Sequence, residues 1–276
     1  MFKLITTGYF YGDGGAMFGS TPKIFWSRSY PVNERNLCVL AMHAGLVVTD
    51  DGRIIVVDPG VGQDQLKYAP AIFYRFFDTI DICNSLLQAG IKPEDVTDVI
   101  FTHLHFDHCG AAVRTDTDGT RRLAFPNALH WVSRAQYENE LNPHPLEADS
   151  FLPMNTEFIK NAGLLRIIES TSEPYECLMM RLYDGHTTGQ IAAYIKTGAS
   201  TVVFPGDIIP LASHIIKERI SAYDLYPTLS YDGKVEILEK SASKNDFLVF
   251  YHDVYSPCAS IKKIRASYKI NKKIDL

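Results

Sequence analysis

The chain has 276 residues, 46% of them apolar and 21% charged. That length and mixture support a sizeable core and exclude a disordered or fibrous chain. The formal net charge of −5 argues against a nucleic-acid backbone as the partner, because such binders carry a basic excess.

The five cysteines are scattered without CxxC spacing and do not form a disulfide framework. The first residues, MFKLITTGYFYGDGG, contain no apolar run of signal-peptide length. No stretch approaches the roughly 20 apolar residues that span a bilayer. A cytoplasmic protein with no membrane partner is expected.

Strand-like and helix-like segments alternate along the chain. Residues 37–40 and 45–48 read as strands. The run 53–58, RIIVVD, ends in Pro59-Gly60, a strong turn signal. Asp51-Gly52 before it suits a hairpin turn, so 45–48 and 53–58 pair. The segment 64–77, with Tyr68, Phe73, Tyr74, Phe76 and Phe77, reads either as a core-covering helix or as an aromatic lid. Helical spacing over 79–89 is closed by Gly90 as a C-cap. A turn at 92–95 leads into a strand at 98–102. Further strands are expected at 128–132, 164–168, 179–183, 192–195, 200–204 and 247–251. Helices are expected at 134–140, 150–161, 232–243 and 261–268. With no repeat and no long linker, residues 1–276 read as one domain.

The strand at 98–102 runs into FTHLHFDHCG (101–110), which crowds three of the nine histidines and an aspartate into six residues. His103 and His105 stand at i and i+2 past an apolar strand. In extended backbone such side chains share a face, so both imidazoles can converge on one ion. Asp107 and His108 follow where the chain turns and can reach a second. Catalytic zinc usually takes three protein ligands and keeps an open position, so further ligands must come from elsewhere. Three segments qualify as polar residues ending apolar strands: Tyr183-Asp-Gly-His186, Phe204-Pro-Gly-Asp207 and Phe250-Tyr-His252-Asp253. Active sites of open α/β sheets lie at such strand ends. His43, His130, His144 and His214 have no comparable setting and read as structural or surface residues. Cys109 reads as a small packing residue.

THLHFDH, DGHTTGQ, FPGD and YHD, in that order and with the early IIVVDPGVG, resemble the metallo-β-lactamase-fold hydrolases from about residue 37 to 252. The resemblance implies an α/β (α+β) fold, a four-layer αββα sandwich with a metal site along one edge of the sheets. It implies that His103, His105 and His186 hold one divalent ion and that Asp107, His108 and His252 hold a second. Asp207 would bridge them, and Asp58 would steady the cluster loop without binding metal. Asp207 stands where the commonest β-lactamases usually carry cysteine, which is similar to the lactonase, glyoxalase II and phosphotriesterase-like branches. GDGGAMFG (12–19), PKIFW (22–26) and AYDLYP (222–227) are similar to a bacterial subgroup near the lactonases and organophosphate hydrolases. The lactonase branch normally has tyrosine where this chain has Pro210, which leaves Tyr223 or Tyr226 to supply a phenol.

Two such ions, zinc first with iron or manganese as alternatives, would lower the pKa of a shared water from about 15.7 toward 7 and polarise a carbonyl or phosphoryl oxygen. Asp107 and Asp207 are the expected catalytic carboxylates, Asp207 positioning the nucleophile and carrying a proton to the leaving group. The substrate class is then a small-molecule ester, lactone, thioester or phosphoester. Met17, Phe18, Trp26 and residues 73–77 are candidate pocket-lining residues for an apolar portion of it. Two other function classes compete: an iron-dependent oxidoreductase acting on persulfides, and a metal-binding protein without turnover. Metal analysis, chelation and oxygen uptake separate the three. Monomer and homodimer both stay open.

Overall fold

The computed structural model describes residues 1–67 and 69–274; Tyr68 lies outside them. The first sheet opens with the long pair β1 (Phe2–Asp13) and β2 (Leu37–Val48), followed by β3 (Ile54–Val57) and β4 (Asp98–Ile100). A small hairpin, β5 (Val113–Thr115) and β6 (Arg121–Leu123), comes next in the chain. β7 (Leu129–Ser133) and β8 (Leu165–Ile168) complete the order β1-β2-β3-β4-β7-β8. The second sheet contains β9 (Ser172–Tyr175), β10 (Leu178–Tyr183), β11 (Gln190–Thr197), β12 (Ser200–Phe204), β13 (Phe247–Val249), β14 (Cys258–Ile264) and β15 (Ser267–Lys273) in serial order.

The helices are α1 (Gly14–Phe18), α2 (Lys23–Trp26), α3 (Ala69–Tyr74), α4 (Ile82–Gln88), α5 (Phe106–Cys109), α6 (Arg134–Leu141), α7 (Pro153–Asn161) and α8 (Pro227–Lys244). Among the described residues no helix is long and apolar enough to cross a membrane.

The layers follow from which faces are apolar. Val47, Ile55, Val57 and Ile100 of the first sheet share a buried cluster with Met180, Ile191, Val202 and Phe204 of the second. Gly45 allows the sheets this close: a Cβ there would sit 2.2 Å from the Phe204 ring. The outer face of the first sheet packs on α4 and α7 through Ile82, Leu86 and Ile159. That of the second packs on α8 through Ile237 and Leu238. The result is the expected αββα sandwich. Each buried side chain of this size contributes about 1.5–3 kcal/mol, so all three layers of contact contribute substantially to stability.

The β2–β3 hairpin forms as predicted, with Gly45 opposite Val57 and Gly52 in the turn at φ 83°. Residues 37–40 and 45–48 belong to one continuous strand, β2, and β1 was not legible. The helix expected at 261–268 is instead the β14–β15 hairpin, with Ile264 opposite Ser267 and Arg265 at φ 57° in the turn. The helical spacing of Ile261, Ile264 and Tyr268 misleads, because Ile261 is buried and Ile264 is exposed on the same strand. Exposed lysines such as Lys262, Lys263 and Lys269 keep this outer ladder from templating another chain. In the 64–77 segment Tyr74 and Phe76 pack against a buried cluster and line a cavity, whereas Phe77 pairs with Tyr9 on β1 and Phe73 is 80% exposed.

Candidate metal centre

The site lies where β4, β10, β12 and β13 end. β4 delivers Thr102 and His103, the chain stays extended through His105, and the short helix α5 turns Asp107 and His108 inward. His186 follows β10, Asp207 sits in a single 3-10 turn after β12, and His252 follows β13. Gly206 makes the Asp207 turn possible. Its φ is 55°, and a Cβ there would lie 2.7 Å from Gln190 Nε2 and 2.9 Å from Thr102 Cβ.

All seven predicted residues converge. The ligand atoms of His103, His105 and His186 lie within 4.8 Å of one another; so do those of Asp107, His108 and His252, and those of His103, His108 and Asp207. Asp207 lies between the two triads, its Oδ2 3.5 Å from His186 Nε2 and its Oδ1 3.4 Å from His108 Nε2.

Each of the five imidazoles is held by one nitrogen. His103 Nδ1 lies 3.0 Å from Thr102 Oγ1, and His108 Nδ1 lies 2.9 Å from Asp58 Oδ2. His186 Nδ1 lies 3.1 Å from Asp224 Oδ1, and His105 Nε2 lies 3.3 Å from Glu147 Oε2. His252 Nδ1 lies 2.8 Å from the Ala41 carbonyl. A nitrogen facing an acceptor carries the hydrogen, so the other presents its lone pair. In all five rings that lone pair faces the common centre. The buried atoms His103 Nε2, His108 Nε2 and Asp207 Oδ1 make no hydrogen bond within the protein. Buried polar atoms are rarely left so, and this donor set fits divalent metal ions.

The electrostatics of these side chains divide. Burial would lower His108 and His186, but Asp207 with Asp107 and Asp58 holds His108 well above the usual imidazole range, and Asp207 with Asp224 raises His186, so the carboxylates call for positive charge at the centre. Burial pushes His103 well below the usual imidazole range, and His108, His105 and His186 push it further, so it is a neutral donor. Burial alone would raise the Asp207 carboxyl. The imidazoles of His252, His108 and His186 outweigh it and hold the group well below the usual carboxylate range.

Asp58 stands where the sequence places it, at the end of β3, and does not face the centre. It accepts from the Thr102 amide at 2.7 Å and hydroxyl at 2.6 Å, as well as from His108. Glu147, Asp224 and Tyr251 were missed. Tyr251 stacks on His108 at 4.1 Å and donates to the Asp107 carbonyl at 2.7 Å; its place beside His252 was a usable signal. Glu147 and Asp224 come from loops with no local signature. The histidines outside the cluster are structural as expected: His43 bonds Thr6 and the Asp253 carbonyl, and His214 bonds the Met17 carbonyl. Cys109 packs under the loop with its thiol toward the Leu104 carbonyl.

A cavity of about 260 Å³ opens over the cluster. Its apolar wall is Phe10, Met17, Leu40, Phe76 and Phe106, with Tyr74 and Tyr223 beside it. Met17, Tyr74 and Phe76 line it as anticipated; of the expected 73–77 stretch Phe73 and Phe77 do not, and neither do Phe18 and Trp26. Those two rings are fully buried and stack on each other at 4.6 Å, because a ring pair gains more by mutual packing than at a wet wall. Tyr223 reaches the cavity, and Tyr226 is not among its lining residues.

Residues 41–118 match the metallo-β-lactamase superfamily. The chain is 26% identical over 234 residues to an N-acyl homoserine lactonase of Bacillus cereus, covering 79% of this chain and 84% of that one. Its structure resembles that of a probable metal-dependent hydrolase from Staphylococcus aureus, with TM-score 0.87, 26% identity, and 100% and 98% of the two chains covered. A dizinc quorum-quenching lactonase solved with its product N-hexanoyl-L-homoserine superposes with TM-score 0.77 at 18% identity over 100% and 98% of the chains. The fold and site thus define a metal-dependent hydrolase. Residues 41–118 of this chain match the metallo-β-lactamase superfamily, and its full-length likenesses are to metal-dependent hydrolases, lactonases among them.

Proposed function

We propose that residues 1–276 form one hydrolase domain with a dinuclear centre, most simply two zinc ions, acting on an uncharged ester or lactone with an apolar limb. His103, His105 and His186 would hold one ion, Asp107, His108 and His252 the other, and Asp207 both. The observation that carries this reading is the set of five imidazoles, each tethered by one nitrogen and directing the other to a single centre. Bound there, such ions supply Lewis acidity toward the substrate oxygen and lower the pKa of water.

The chain's own residues do the rest. Asp107 and Asp207 both line the cavity floor, Asp107 Oδ2 lying 3.7 Å from His252 Nε2. From there a carboxylate can orient an attacking water, take its proton and return it to the leaving oxygen. Phe10, Leu40, Phe76 and Phe106 exclude water from the bound limb.

The charge of the lining supports an uncharged substrate. Among the described lining residues there is no lysine or arginine, against Asp107, Glu147, Asp207 and Asp224. Two divalent cations would just neutralise those four carboxylates. A substrate carboxylate or phosphodiester would find no side-chain cation to pair with, whereas a neutral acyl group loses nothing. The likeness to a relative named N-acyl homoserine lactonase points to the same class.

The test is metal analysis of the purified protein, then assays of neutral lactones, aryl esters, thioesters and phosphotriesters before and after chelation, with zinc and manganese restored separately. Turnover that survives complete metal removal overturns the proposal. Iron content together with oxygen uptake on a persulfide would assign the centre to oxidoreductase chemistry instead.

A further inference from the structure

The centre is reached by a carboxylate from outside the four strand ends. Glu147 lies in the connection between α6 and α7, buried beside the site. Its Oε2 is 3.3 Å from His105 Nε2 and accepts from the Thr187 hydroxyl at 2.8 Å. Its Oε1 accepts from Asn139 Nδ2 at 2.8 Å. Thr187 follows His186 in the chain, and its oxygen also accepts from Asn139 at 3.1 Å and Gln136 at 3.2 Å. One carboxylate therefore joins two of the histidines of a single triad, His105 directly and His186 through its neighbour, and ties both to α6.

His105 needs this more than its fellows. It presents Nδ1 to the centre, 3.2 Å from His186 Nε2, while the other four present Nε2. An imidazole that must donate its Nδ1 lone pair needs its hydrogen held on Nε2, and an acceptor fixed at Nε2 imposes that tautomer. No backbone carbonyl lies there; Glu147 is the acceptor.

We propose that Glu147 is a positioning residue of the metal centre, holding His105 as the Nε2–H tautomer and setting the His186 segment against it. The inference rests on the dinuclear reading above. The same carboxylate also anchors the loop bearing Leu146, which is 81% exposed at the cavity rim. A purely structural role must therefore be separated from a positioning one.

The experiment uses the zinc-loaded protein and its E147A and E147Q variants, titrated with a chromogenic chelator. Nitrogen-15 NMR of the histidine rings and the visible spectrum of the cobalt-substituted forms complete it. E147A is expected to weaken one ion by about 10- to 100-fold, the usual range for a lost outer partner, and to leave the other within about twofold. E147Q keeps an acceptor oxygen but turns an amide N–H₂ toward a donor, so about three- to tenfold is expected. In the metal-free forms His105 should lose its single Nε2–H signature in E147A, and the cobalt spectrum of the loaded variant should change. Unchanged affinity in both variants, equal weakening of both ions, or an unaltered His105 tautomer overturns the inference. Should E147A not fold, E147Q decides by the same measures. Wild-type protein that binds no metal overturns the centre itself, whereas wild type with two tightly held ions and unaffected variants overturns only the role of Glu147.

Discussion

Two concavities of the molecule differ in what lines them, and the larger of the two is the less informative. A cavity of about 520 Å³ lies between residues 61–64, 80–82 and 114–118, twice the size of the one over the histidines. It is lined by Asp64, Asp81, Asp116, Asp118 and Arg114. Three of those five charges are already paired: Arg114 with Asp81 at 3.0 Å, and Asp116 with Arg122 at 2.6 Å. At the smaller one, converging buried donor atoms on His103, His108 and Asp207 make no hydrogen bond within the protein. Volume measures room, whereas unpaired buried donors measure a demand for something to bind.

The largest expected effect lies at the shared carboxylate. Asp207→Ala should remove metal from the centre and lower kcat by at least about a thousandfold, the several kcal/mol that metal stabilisation of a transition state supplies. Metal content and turnover measure it, and a variant that keeps both erases the distinction between the two concavities.

Burial of histidine alone gives the next effect. His130 is buried away from the centre, and burial pushes it down to about 4 from 6.5. Because the folded value is the lower one, the unfolded chain takes the proton first as pH falls. The stabilisation is therefore complete above about 6.5 and lost toward 4, about 3 kcal/mol by the end of that window. His130→Leu should flatten this part of the pH dependence of urea unfolding. An equal slope in variant and wild type would mean that burial has no such effect.

Asp224→Ala removes the acceptor at His186 Nδ1 and should weaken one ion by about 10- to 100-fold, read by chelator competition. The smallest effect belongs to the larger cavity. Arg114→Ala breaks a half-exposed pair, worth about 0–1 kcal/mol, and should leave kcat and KM unchanged. A large loss of activity there would reverse the ranking.

The seven converging residues were legible because they follow apolar strands within short motifs, so chain-local rules place them. The partners that orient them were legible only in part. Asp58 follows a readable strand, but the acceptor for His252 is the Ala41 carbonyl, which any residue type supplies and no sequence can announce. Glu147 and Asp224 depend on how loops return to the site, and loops carry no period. The β1 strand was unreadable for another reason: it mixes Thr, Gly and Tyr with its apolar residues, and it bends at a bulge between Thr6 and Gly8. The β14–β15 hairpin imitated a helix because three apolar residues at helical spacing happened to straddle a turn.

Asp58 is a non-glycine residue at φ 48°, a conformation that burdens most side chains by about 1–2 kcal/mol. Glycine would relieve that burden and release Thr102 and His108 together; asparagine would tolerate the backbone but exchange an anion for an amide beside His108. The three buried hydrogen bonds that the carboxylate accepts outweigh that backbone burden, so a residue without an acceptor here would loosen the fold and the site together.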